Sequence, residues 1–112
     1  MAKRMVGHMG KHEIELAQTN SLDDAYALYR KVLDGKRNLR QILISIQHNP
    51  DPADLVDSVI HESVHALGDI FGIEDNEQLA HTAAVALTQM WVEMGLIDPK
   101  AWARKVKKAR ML

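Results

Sequence analysis

Cysteine is absent from this 112-residue chain, and aromatic side chains are scarce, with two Trp, two Tyr and one Phe. Without thiols there is no disulfide, no zinc ribbon and no cysteine nucleophile, and a reducing intracellular compartment is compatible with the composition. Long apolar runs are missing too. No stretch reaches the roughly 20 residues that cross a bilayer, and the N-terminal MAKRMVGHMGKHEIEL has basic residues without the apolar core of a signal peptide. The expectation is a soluble, cytoplasmic protein with no membrane partner. Internal repeats and low-complexity tracts are likewise absent, and the length fits one domain over residues 1–112 with a single hydrophobic core.

Basic charge is missing from the middle of the chain. Residues 1–40 carry +3, residues 41–99 carry −10 without one Lys or Arg, and residues 100–112 carry +6, for a net charge of −1. A central segment of that kind is either an acidic solvated surface or a favourable field for a divalent cation.

Within it lies DLVDSVIHESVHALGDIFG, in which His61, Glu62 and His65 form the pattern H-E-x-x-H. Asp51, Pro52 and Asp54 supply an N-cap, a first-turn proline and an early acid, so a helix is expected from there to about Phe71, ended by Gly72. On that helix Leu55, Val56, Val59, Ile60, Val64, Leu67, Ile70 and Phe71 share one apolar arc, while His61 and His65 leave it on the same side, one turn apart. Histidines in an apolar helix are often core residues with a satisfied hydrogen bond. Here the shared outward direction favours a metal pair, with Glu62 placed to take a proton from a water activated by the metal. The motif is short enough that a fortuitous match stays open.

The other elements are read in order. HEIELAQ over residues 12–18 alternates apolar Ile14 and Leu16 with Glu13 and Glu15 and reads as a short half-exposed strand with the glutamates on its exposed face, and His8, His12 and Glu13 read as surface residues. SLDDAYALYRKVLDG, from Ser21 as N-cap to Gly35 as stop, reads as an amphipathic helix whose stripe is Leu22, Ala25, Tyr26, Tyr29, Val32 and Leu33. LRQILISIQ over 39–47 is the most strand-like run, either an edge that pairs with an extended substrate or an ordinary interior strand. Asp75 is expected to cap a second helix running to about Gly95, with Leu79, Ala83, Leu87, Met90, Trp91 and Met94 as its apolar arc, Glu77 and His81 together at the margin, and Ala80 and Ala84 allowing close approach to a neighbour. A last short helix follows Asp98 and Pro99, with Trp102 and Val106 opposite a basic face. That face reads as solvated rather than as a nucleic-acid surface, because the aromatic interleaving is missing, although a basic tail leaves nucleic acid or an acidic partner open.

The segment VIHESVHALGDIFGIEDNEQLAHTAAVAL, residues 59–87, resembles the metal-binding core of small metallopeptidases of the zincin type, including those of bacteriophages and prophages, and is more distantly similar to the ImmA/IrrE peptidases. In such proteins a second helix completes the site with a glutamate, often as E-x-x-A. Glu77, Gln78, Leu79 and Ala80 fit that pattern, which implies Glu77 as third ligand, with His81, one turn along the same face, as the alternative. Gly68 matches the glycine of the metzincin continuation, but Phe71 stands where its third histidine would be, so the likeness is gluzincin-like. Peptide deformylases, which use a cysteine ligand, are excluded. Asp69, one turn beyond His65, is too far along the axis for an easy fourth ligand.

The resemblance implies an α+β fold, a minimal zincin-like domain with a small β-sheet against three to four helices including the H-E-x-x-H helix. It also implies a zinc metallopeptidase of a bacterial or phage-infected cytoplasm acting on a peptide or protein substrate, with Zn²⁺ on His61, His65 and Glu77 and with Glu62 as general base. The alternative from another class is a non-catalytic, zinc-stabilised binding module that meets a partner through its basic C-terminal helix. Oligomeric state is not legible.

Overall fold

The computed structural model describes residues 4–20, 22, 25–34, 37–74 and 76–112, with 33, 34, 37 and 38 described by backbone. Its elements are β1 (Met5–Met9), β2 (His12–Gln18), β3 (Ala27–Asp34), β4 (Arg37–Ile44), α1 (Pro52–Phe71), α2 (Glu77–Glu93) and α3 (Pro99–Val106). This is an α+β architecture, a four-stranded mixed sheet in the order β1-β2-β4-β3 with helices against it. No helix among the described residues is long and apolar enough to cross a membrane.

β1 and β2 form a hairpin in which Met9 pairs with His12 across Gly10 and Lys11, and Gly10 takes a φ of 58°, which a side-chain-bearing residue rarely adopts. β2 lies parallel to β4, from Ile14 opposite Arg40 to Gln18 opposite Ile44. Of the two readings of the Ile-rich run, β4 is the interior strand, paired on both sides.

The expected helix over Ser21–Gly35 is not formed. Ala27–Asp34 is instead strand β3, antiparallel to β4 from Ala27 opposite Ile44 to Asp34 opposite Arg37. Ser21 and Gly35, the expected cap and stop, lie outside the described residues. The segment satisfies both periods, and the sheet decides between them. β4 would otherwise leave one row of N–H and C=O groups without partners, and β3 supplies an unbroken ladder for them.

α1 follows its sequence signals. Asp51 Oδ1 accepts from Ala53 N–H at 2.8 Å, Pro52 opens the helix, and Gly72 ends it with φ 64°. Leu55 and Val56 are fully buried and Ile60 nearly so, whereas Leu67 and Phe71 at the far end of the expected arc are exposed. Leu55 and Ala66 meet Ile14, Ile42 and Ile44 of the sheet with Ala103 and Val106 of α3, while Val56 and Ile60 meet Ala84 of α2 beside Leu87, Trp91 and Trp102.

α2 is capped by Asn76, whose side chain accepts from Leu79 N–H at 2.6 Å, so the cap is one residue later than expected, and Asp75 lies outside the described residues. Its buried face is Ala80, Ala84 and Thr88, while Leu79, Met90 and Met94 of the expected arc are exposed. Small side chains let α2 pack closely on α1. α3 begins at the Asp98 cap, as expected.

Glu15, expected on an exposed face of β2, is 2 % exposed. Arg110 reaches it with two bonds of 2.8 Å, and Gln41 donates a third at 3.0 Å. The C-terminal residues bring Arg110 there by lying along β2. Gln18 N–H donates to Arg110 C=O, and Leu112 N–H donates to Gln18 C=O. One residue of the basic tail is therefore committed to the fold rather than to solvent.

Candidate metal centre

His61 and His65 lie one turn apart on α1 with ring centroids 5.1 Å apart. The loop after Gly72 turns the chain back so that the first residue of α2, Glu77, stands over both rings. Its Oε1 lies 2.6 Å from His61 Nε2 and its Oε2 lies 2.9 Å from His65 Nε2. One ligand atom from each of the three residues lies within 4.8 Å of the others, a set that could hold a metal ion. Two imidazole nitrogens and a carboxylate oxygen are a donor set that suits a borderline cation such as zinc. The α2 N-terminus adds a favourable dipole for the Glu77 carboxylate.

His81 is not in this group. It lines the same cleft, with its ring centroid 6.4 Å from that of His61 and the planes 69° apart. Glu77 is thus the α2 side chain that reaches both histidines.

Glu62 lines the cleft beside the pair and is gripped by β3, where Tyr29 N–H donates to its Oε2 at 2.9 Å. Burial pushes the Glu62 carboxyl above its ordinary range, opposed by that backbone bond and by the two histidines. Asp69, expected to lie too far along the axis for an easy fourth ligand, faces the sheet strands β3 and β4. Its carboxylate accepts from Tyr29 Oη at 2.6 Å and Lys31 Nζ at 3.2 Å, with Arg40 Nε 3.8 Å away. The Tyr29 hydroxyl, then Lys31 and Arg40, hold the Asp69 carboxyl low against the opposing effect of burial. Burial and the Asp69 carboxylate push the Tyr29 phenol up to about 12, so it stays protonated and ties β3 to α1.

The cleft has a volume of about 520 Å³ and runs from His61 and Glu62 toward the start of α1. The cavity is lined by Asp54, Asp57 and Ser58 of α1 and by Ala25, Tyr26 and Ala27, where the chain enters β3. Asn49 fixes the end wall, donating to Tyr26 C=O at 2.9 Å and Ser45 C=O at 2.8 Å and accepting from Ser58 Oγ at 2.7 Å. Asp54, expected only as an acid of the first turn, and Asp57, not expected at the site, lie seven and four residues before His61, which puts them on the histidine face. Tyr26, expected as helix packing, is 61 % exposed at the cleft.

Comparisons with protein-family models, with curated proteins and with solved structures find no match for this chain.

Proposed function

We propose that the protein is a zinc-dependent peptidase of the zincin type, with Zn²⁺ on His61, His65 and Glu77 and with Glu62 as general base. The observation that carries this reading is the meeting of Glu77 with both histidines of H-E-x-x-H while Glu62 lies in the same cleft. When bound, zinc would supply Lewis acidity, lowering the pKa of water toward neutrality and polarising a carbonyl.

The residues of the chain account for the remaining tasks. Tyr29 N–H fixes one oxygen of Glu62, leaving the other to take a proton from the attacking water and pass it to the departing amine. Burial raises the Glu62 carboxyl, against the backbone bond from Tyr29 and the two histidines. The open edge of β3 supports the reading of a peptide substrate. Ser45 N–H donates to Tyr26 C=O, which sets the phase of the β3–β4 ladder so that backbone groups of Ala27, Tyr29 and Lys31 face the open edge. With Tyr29 N–H taken by Glu62, Ala27 and the Tyr29 carbonyl are left for an extended peptide.

The test is to load the protein with zinc, incubate it with a mixed peptide library and read the products by mass spectrometry. Cleavage products that need both zinc and Glu62 are expected. A wild-type protein that binds zinc and yields no products would favour the second reading, a non-catalytic module, which is supported by the way Glu77 already staples α2 to α1 through two histidine contacts.

A further inference from the structure

We infer that α2 pairs antiparallel with α2 of a second copy of this chain, through an apolar stripe of Leu79, Ala83, Ala86, Met90 and Met94 on the flank turned away from the cleft, giving a two-fold dimer.

The stripe follows from spacing. Steps of four, three, four and four residues return to one side of a helix, and Glu77 and His81, which line the cleft, lie roughly half a turn around from it. α2 meets its own fold with a third face. There Ala80, Ala84 and Thr88 are buried, and Ala84, with Leu87 and Trp91 beside it, packs on Val56 and Ile60 of α1. Leu79, Met90 and Met94 stay 50, 40 and 64 % exposed. With the two alanines between them they leave roughly 400 Å² of apolar surface, the scale at which an exposed patch marks an interaction site. A two-fold contact doubles that area, and the exposed Thr82, Gln89 and Glu93 at its margin bring it to about 1,000 Å². This is the lower end of specific interfaces, so a micromolar equilibrium is expected rather than an obligate dimer.

The stripe is complementary to itself in one direction. Its midpoint falls beside Ala86, so an antiparallel copy sets Leu79 against Met94 and Ala83 against Met90, with small side chains near the axis where the helices come closest. A parallel copy would set alanine on alanine and methionine on methionine, leaving a gap at one level and crowding at the next. Charge favours the same direction. α2 has no Lys or Arg, and Glu93 in its last turn would face Glu93 in a parallel pair. In the antiparallel pair it faces the first turn of the other helix, whose N-terminal dipole favours an anion.

Sedimentation equilibrium of the full chain over about 1–500 µM is expected to show monomer and dimer in exchange. Leu79→Glu and Met94→Lys each place a charge where the helix dipole tolerates it, and singly each should weaken the dimer at least ~10-fold. Together they should restore it to within ~3-fold of wild type, because the two charges can meet only across copies, being about 22 Å apart along one helix. The chain has no cysteine, so Ala86→Cys supplies a single thiol beside the axis and should give an oxidised dimer, whereas Val85→Cys, exposed on another flank, should not. Circular dichroism checks each variant, and the cysteine pair decides the matter if a charge variant fails to fold. A chain that stays monomeric at about 500 µM leaves the stripe to another occupant and overturns the inference. A dimer that the single charge variants leave intact, that the double variant does not restore, or that cross-links through Val85→Cys in place of Ala86→Cys overturns it as well.

Discussion

Tyr29 and Glu62 are joined through a backbone bond, Tyr29 N–H to Glu62 Oε2 at 2.9 Å, that crosses 33 positions of chain. A strand edge holds the candidate base, so the base is positioned by sheet pairing and not by its helix alone. The same residue ties down the far end of that face, where its hydroxyl bonds Asp69. A glutamine retains an oxygen that accepts from Tyr29 N–H. Glu62→Gln is therefore expected to keep the fold and the metal while cleavage falls by about 10²–10⁴-fold. Circular dichroism, elemental analysis and product formation check the three parts, and retention of full cleavage would remove Glu62 from the chemistry.

One zinc per chain is expected after dialysis, since among the described residues one converging set of three ligands makes one site. His61→Ala and His65→Ala should each lose it, and with it the rise in Tm that zinc confers on the wild type. Equal metal content in all three proteins would place the ion elsewhere.

Glu77 and His81 part on affinity. Glu77 touches both histidines and His81 only flanks His61, so Glu77→Ala should weaken zinc binding far more than His81→Ala, whose loss should stay within ~10–100-fold. Competition with a chelator gives the order, and the reverse order would make His81 the ligand.

Tyr29→Phe removes the hydroxyl that is the largest influence holding Asp69 low. The Asp69 carboxyl should then titrate at higher pH, which NMR reads directly. The lost bond should cost about 0.5–1.5 kcal/mol of stability. An unchanged Asp69 titration would mean that Lys31 and Arg40 suffice.

Acid should unpick the opposite side of the sheet. Burial raises the Glu15 carboxyl, but the bonds from Arg110 and Gln41 and the charges of Arg110 and Arg4 outweigh it and leave the folded value below 4.5. A depressed folded value stabilises above the unfolded pKa, and that stability is lost as pH falls through the folded value. Wild-type Tm should accordingly drop more steeply below about pH 4.5 than that of Glu15→Gln. At neutral pH, Arg110→Ala should cost about 2 kcal/mol, because Glu15 stays buried with fewer donors. Parallel acid curves for wild type and Glu15→Gln would refute this account.

The sequence by itself determined what is local. Asp51, Pro52 and Gly72 bounded α1, one helical turn placed His61 above His65, and alternation marked β2, all because caps, helical pitch and strand pitch act over a few residues. Tertiary structure decided the rest. Ala27–Asp34 carries a helix-like stripe yet became a strand, since β4 offered a row of backbone partners that no local period could announce. Glu15 looked solvated until Arg110 arrived from 95 positions away. α2 buried Ala80, Ala84 and Thr88 most deeply, with Leu87 and Trp91 of the expected arc only partly buried beside them and Leu79, Met90 and Met94 exposed, because the face that meets α1 is set by packing between helices and not by the pattern on one. At the site, the histidine pair and the carboxylate of Asp57 on the same helix face follow from spacing, whereas the positions of Glu77, Tyr29 and Tyr26 around them depend on where a loop and a strand return in space.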